Sequence, residues 1–289
     1  MVDIGSARTF IHANARVLER RAFAALFEDG APAGVVDALA GYQNDDGGFG
    51  HGLEPDKRVP ASQPLDVEIA LERLVMVGSG EVEMALRACD WLASVAEPSG
   101  AVPVLLPSIA GYPRAQHWTY ADEYPAGLNP TAAIVAHARA LEIGHPWVDR
   151  ASSHCFSALD SGYIPAEAHA LLCVAKLLDQ APDPAQAASI GDAVAAALPA
   201  AAFMHLEPDP DAYGVTPLDF APTPKSIARS WFADDLIDAH LDLLERLQES
   251  DGGWPIAWEP PGEAARWEWR GIKTLLAVHT LAAYGRVEP

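Results

Sequence analysis

Two short stretches, GLEPD at residues 52–56 and YADEY at residues 120–124, set carboxylates beside apolar or aromatic neighbours in segments broken by glycine and proline. A carboxyl group walled by such neighbours loses hydration, its pKa rises, and it can hand over a proton near neutral pH. Glu54, Asp56, Asp122 and Glu123 are therefore the candidate catalytic acids. The same pattern also suits solvated acids that cap turns, so the sequence leaves both roles open. His51 and Arg58 adjoin the first stretch, and His117, Trp118, Tyr120 and Asn129 surround the second. A third segment brings His205, Tyr213 and Asp219, and a fourth brings Trp258 and Trp267, followed by Trp269 and Arg270. Of these, His51, His117, Trp118, Tyr120, Tyr213, Trp258, Trp267, Trp269 and Arg270 form the candidate substrate-binding set. Aromatic faces stabilise positive charge on an apolar ligand and stack equally well on sugar rings, so both ligand classes remain in play.

Two further patterns invite a metal. Asp234, Asp235 and Asp238 spell DDxxD, whose carboxylates one turn apart can grip magnesium. They also stand where a helix starts, and there acids are favoured by capping and by the helix dipole. Glu167, His169 and Cys173 share one predicted helix, with His169 and Cys173 one turn apart as zinc ligands can be. A satisfied histidine and a buried thiol on an apolar helix explain them as well. No metal or other cofactor is expected.

These residues must be positioned by helices. Apolar residues recur at helical spacing in SARTFIHANARVLERRAFAALFED, PAGVVDALAGYQ, LDVEIALERLVMV, EVEMALRACDWLASVAE, PTAAIVAHARALEI, PAEAHALLCVAKLLDQ, ADDLIDAHLDLLERLQ and GIKTLLAVHTLAAYG, and no alternating strand pattern stands out. About eleven helices are expected. The breakers recur too: Gly47-Gly48-Phe49, SGAVP at 99–103, SGYIP at 161–165, YGVTP at 213–217 and Gly252-Gly253-Trp254. Their spacing of about 40 to 60 residues is that of a helix pair plus a loop, which marks stacked helical repeats. In both strong copies a Gln ends a helix and an Asp precedes the glycines. Gln43 and Gln248 are expected to bond free carbonyls, and Asp46 and Asp251 to bond loop amides. Long loops at 44–63, 97–129, 199–223 and 250–268 carry most of the candidate residues.

The motif Gln-x3-Gly-Gly-aromatic, present as QNDDGGF and QESDGGW, resembles the QW repeat of the terpenoid cyclases and protein prenyltransferases. With the degenerate copies the resemblance spans the chain. It implies an all-α fold, a single α/α toroid over residues 1–289, with every second helix lining a central cavity and the long loops gathered at one mouth. The chain departs from that family's chemistry. It has no DxDD acid motif, only Asp66 and Glu68 in PLDVEIA at a similar helix start, and no prenyltransferase zinc motif. What the resemblance implies is binding of an apolar, isoprenoid-like small molecule, with acid-initiated cyclisation or isomerisation as the reaction. The alternatives are a carbohydrate-active α/α barrel with paired loop carboxylates, and a binding or scaffold module without catalysis.

Charge narrows the partners. Forty acids against 19 Lys and Arg give a formal charge of −21, with no basic stripe for nucleic acid or anionic membrane. An anionic ligand would need a local cation to offset that charge. Three widely spaced cysteines form no disulfide framework. The start, MVDIGSARTF, has neither the basic nor the apolar region of a signal peptide, so a cytoplasmic protein is expected. GxSxG, HExxH, Walker A and dinucleotide glycine patterns are missing.

Overall fold

The computed structural model describes residues 2–288, and about 55% of the chain is helical. Twelve α-helices follow in order among the described residues: α1 Ile4–Asn14, α2 Val17–Phe27, α3 Ala33–Ala40, α4 Pro64–Met76, α5 Glu83–Val95, α6 Leu128–Ala140, α7 Pro146–Asp160, α8 Ala168–Asp179, α9 Pro184–Ala197, α10 Pro217–Phe220, α11 Asp234–Arg246 and α12 Glu263–Ala283. Four of them, α4, α7, α9 and α10, begin on a proline, whose fixed φ and missing N–H cost nothing in a first turn. Two residues at Val102–Pro103 (β1) pair antiparallel with Ala126–Gly127 (β2), a small ladder that the sequence reading did not foresee. The long N-terminal segment read as one helix is two. Ala15 and Arg16 are extended, and Arg16 turns away to bond the Glu19 carboxylate at 2.7 Å and the Leu53 carbonyl at 2.8 Å.

The core is laid around α6, whose residues Pro130 to Ala138 are all buried and which packs on α4, α7 and α8. Such small residues as Ala132, Ala133 and Ala136 let its neighbours approach closely. The other contacts pass from α2 to α3, α3 to α4, α8 to α10, α10 to α11 and α11 to α12, and α12 packs on both α1 and α2. The two ends of the chain thus lie side by side. No described helix is long and apolar enough to cross a membrane.

The repeated corners explain that succession. Gln43 donates to Gly47 O at 2.9 Å and to Met84 O at the start of α5 at 3.0 Å. Gln248 does the same with Gly252 O at 3.1 Å and with Asp3 O, just before α1, at 2.8 Å. Each glutamine therefore ties its own turn to the helix that follows next around the array. Asp46 and Asp251 accept from the amides of Gly48 and Gly253, the structural role expected of them. Gly252 sits at φ +91°, and a Cβ there would lie 2.2 Å from the Ser6 carbonyl oxygen in α1. Gly252→Ala is accordingly expected to cost roughly 2 kcal/mol or more, from backbone strain together with displacement of α1. Urea unfolding read by circular dichroism checks this.

Candidate functional site

The loop between α3 and α4 carries Glu54 and Asp56 and is pinned from beneath by α4. Asp66, in the first turn of α4, accepts the Glu54 amide at 2.7 Å and the Lys57 ammonium at 2.8 Å through one oxygen. Lys57 is fully buried and also lies 3.6 Å from Glu54. One cation thus faces two carboxylates away from water. Burial pushes Glu54 up to about 7, against the pull of Lys57, with Asp56 and Asp66 adding to the rise. Burial raises Asp66 as well, again opposed by Lys57. Arg58 leaves the same loop to pair with Glu268 on α12.

The second long loop docks onto the first through its backbone. Ala115 N–H donates to Asp56 O at 2.7 Å, and Arg58 N–H donates to Pro113 O at 2.9 Å. This sets His117 with Nε2 3.6 Å from Asp56 Oδ2. The third loop contributes Tyr213, whose carbonyl oxygen lies 2.9 Å from His205 Nε2. The Tyr213 ring rests against His117 at 5.8 Å, Trp258 at 5.8 Å and Phe203 at 6.2 Å. From the fourth loop Trp258 donates its indole N–H to Asp56 Oδ2 at 2.9 Å and meets Trp269 edge to face at 5.0 Å.

Asp56 is the focus of this arrangement. It is 2% exposed, its Oδ2 faces Trp258 and His117, and its Oδ1 has no hydrogen-bond partner. The Trp269 indole nitrogen also lacks a formal partner, yet it lies close enough to favour the ionised acid. Burial nonetheless dominates and raises Asp56 above the ordinary range, opposed by Trp269, His117 and Trp258. His117 moves the other way, lowered by burial against the attraction of Asp56. An acid whose pKa burial raises, beside a half-exposed imidazole whose pKa burial lowers, is an arrangement that can exchange a proton.

Deeper along the same helices a second set of charged groups meets. Lys176 on α8 bonds Glu68 at 3.0 Å and Glu72 at 2.8 Å on α4, and Arg73 bonds Glu72 at 2.9 Å. Burial pushes Glu72 up, but Lys176 and Arg73 outweigh it and hold the group well below the usual range. Burial and then Lys176 lower His137 on α6 to about 3, so it is neutral. The Lys176 side chain keeps 24% exposure in the midst of these helices, which marks solvent-accessible space along their shared face.

The remaining expected residues lie elsewhere. Asp122 and Glu123 are exposed, and Asp122 accepts the Tyr120 hydroxyl at 2.9 Å. Trp118 packs on the small apolar cluster of Val59, Leu105 and Ile109 and touches His117 at 5.1 Å. His51 bonds the Asn44 side chain at 2.8 Å. Trp267, Trp269 and Arg270 belong to α12 rather than to a loop. Arg270 lies over both the Phe10 and Trp267 rings, which touch each other at 6.3 Å, and is paired with Asp251 and Glu249, so Trp267 and Arg270 serve the corner between α11 and α1. The DDxxD acids are engaged as surface ion pairs and caps: Asp234 with Arg229, Asp238 with Arg286, and Asp235 with the Leu236 amide. Glu167 caps α8 and contacts His169, while Cys173 is a buried thiol 3.7 Å from Asn129 Oδ1. Among the described residues no group of three or more His, Cys, Asp or Glu is arranged to hold a metal ion.

Sequence reasoning missed Lys57, Lys176 and Phe203. A signal for the lysines existed: the chain has only four, and residues so scarce on an acidic surface are good candidates for interior pairing.

Glu54 makes a pH prediction. Its folded-state pKa of about 7 lies above the ordinary 4.5, so the folded protein holds a proton that the unfolded chain has released. Stability from this group is therefore present at low pH and is lost as pH rises through that window, by about 3 kcal/mol in all. Glu54→Gln, a neutral stand-in for the protonated acid, is expected to match the wild type near pH 5 and exceed its stability near pH 8. Thermal melts across that range provide the check.

No protein-family model matches the sequence, and no curated protein matches it. Among solved structures, the crystal structure of a protein from Actinoplanes is similar, with a TM-score of 0.57 and 17% identity over 98% of this chain and 100% of that one. At that identity the likeness concerns the fold alone.

Proposed function

We propose that the twelve helices form an α/α toroid of the terpenoid cyclase and protein prenyltransferase type, and that the protein binds an unsaturated, isoprenoid-like small molecule near Asp56 and protonates it. The alternation of helices, the glutamine corners that tie each turn to the next helix but one, and the packing of α12 on α1 and α2 support the toroid. The observation that carries the chemistry is Asp56: buried, raised in pKa, with one oxygen anchored on Trp258 and the other unpaired beside aromatic rings.

In this reading the proton on Oδ1 passes to one carbon of a double bond, whose electron pair becomes the new C–H bond. Positive charge develops on the adjacent carbon, where the faces of Trp258, Trp269 and Tyr213 stabilise it. Attack by a second double bond closes a ring and moves the positive charge to the far carbon of that bond, and loss of a neighbouring proton to water then gives the cyclic product; without ring closure the same proton loss completes an isomerisation. His117, half exposed and neutral, then relays a solvent proton back to the carboxylate. The three buried free cysteines suit a reducing, cytoplasmic setting.

Turnover in heavy water tests this reading, because a product formed by protonation carries one deuterium drawn from solvent. Product with no deuterium would refute it. One observation favours a second reading. The charged groups Glu68, Glu72 and Lys176 suit a hydroxylated ligand better than a hydrocarbon, and the indole face of Trp258 suits a sugar ring as well as an alkene. Saturable quenching of tryptophan emission by oligosaccharides, with none by terpenoid alcohols, would decide for the sugar.

A further inference from the structure

The Trp258 ring is a meeting point of four groups. Asp56 holds its N–H, Trp269 and Tyr213 meet it edge on, and the Lys273 ammonium stands 5.8 Å from its centre. Lys273 lies on α12 one turn beyond Trp269, so the two side chains share a helix face. It is half-buried, and among the described residues no acid reaches ion-pair distance of it. Several cations of the interior do have one. Lys57 is matched by Asp66 and Glu54, Lys176 by Glu68 and Glu72, and Arg16 by Glu19. Lys225 and several arginines lack one too, and what sets Lys273 apart is its place over the Trp258 ring, beside the buried Asp56. A half-buried ammonium without a counter-charge is costly, and an anionic ligand relieves that cost.

Resting on the reading of Asp56 and its aromatic walls as the ligand site, we propose that Lys273 holds a carboxylate carried by the substrate. The substrate class is then an unsaturated carboxylic acid, its body across Trp258, its acid group on Lys273 and its reacting double bond toward Asp56. Charge balance selects a carboxylate over a phosphate. One ammonium neutralises one negative charge, whereas a dianion would leave surplus charge beside Asp56, which shares the Trp258 ring with Lys273, within a molecule already at −21. The aromatic rings offer the hydrocarbon body a surface that a simple anion-binding patch would lack.

Three probes with the same carbon chain separate the possibilities: geranic acid, geraniol and geranyl phosphate, titrated against tryptophan emission at neutral pH. The wild type is expected to bind geranic acid about tenfold more tightly than geraniol. Lys273→Met is expected to abolish that preference while leaving geraniol affinity and the melting temperature unchanged, and Lys273→Arg to retain most of it. Asp56→Asn, which removes the proposed acid, is expected to keep the preference. Equal binding of acid and alcohol by the wild type, or equal weakening of both in Lys273→Met, overturns the carboxylate assignment and leaves the aromatic site standing. Tighter binding of the phosphate overturns the monoanion choice. If none of the three probes binds, the aromatic-site reading falls and the proposal falls with it.

Discussion

Asp56→Asn is expected to lower turnover by about a thousandfold, within the range that a positioned general acid contributes, while ligand affinity and melting temperature stay near the wild-type values. The asparagine is isosteric, and its carbonyl oxygen can still accept the Trp258 indole N–H that Asp56 Oδ2 accepts at 2.9 Å. Loss of the acidic proton, rather than of the fold, is what the variant reports. Stopped assays with substrate conversion followed by mass spectrometry measure it. The exposed acids are the internal control: Asp122→Asn and Glu123→Gln remove carboxylates of the same chemical type from solvent, and turnover should be unaffected. A large loss in either of those, with Asp56→Asn still active, would move the acid to the YADEY loop.

Lys57→Met should have the largest effect on stability, a loss of about 3–5 kcal/mol at neutral pH. The ammonium is fully buried and satisfies Asp66 at 2.8 Å and Glu54 at 3.6 Å. Methionine fills similar space but leaves two carboxyl groups without a cation in a place where water cannot reach them. The acids then respond by taking up protons, so the deficit should shrink toward pH 5 or so, whereas the cost of a simple packing defect would stay the same across that range. Adding Asp66→Asn removes one of the stranded charges and keeps an acceptor for the Glu54 amide, and the double variant is expected to recover part of the loss. Chemical unfolding of the three proteins at two pH values gives the comparison. Because the Glu54–Lys57 turn also sets the backbone of Asp56, which accepts the Ala115 amide at 2.7 Å, Lys57→Met should also lower turnover without any direct contact between Lys57 and substrate.

What was legible in the sequence was local. The corners were, because a Gln four residues before paired glycines, an Asp just ahead of them and an aromatic just after are choices dictated by one turn's own hydrogen bonds. Gln43 and Gln248 make matching contacts more than two hundred residues apart in the chain. Most helices were legible through their spacing, although α7, α9 and α10 lie outside the apolar stretches that stood out, and at Ala15–Arg16 the apolar periodicity runs on while the backbone breaks so that Arg16 can meet Glu19 and Leu53. Residues 263–268, expected as part of a long loop, are the first turns of α12. In fact three charged or aromatic side chains on one helix face different neighbours: Arg58 for Glu268, Asp56 for Trp269, Asp251 for Arg270.

Only the tertiary structure chose among the four acids. Asp56, Asp122, Glu123 and Glu54 have similar loop surroundings along the chain, but burial and charge pairing are sums over neighbours in space. Asp56 meets a tryptophan 202 positions away, and Lys57 spends its charge on Asp66 across a turn and a helix start. Asp122 meets only the tyrosine two residues before it. The same physics sorts the lysines, matching Lys57 and Lys176 to acids that long-range packing brings to them and leaving Lys273 beside an indole. Sequence alone determined an acidic, helical chain with recurring glycine corners. The convergence of loops distant in sequence decided which carboxyl group loses its water, and in the proposed function that desolvation is what separates a proton donor from a surface charge.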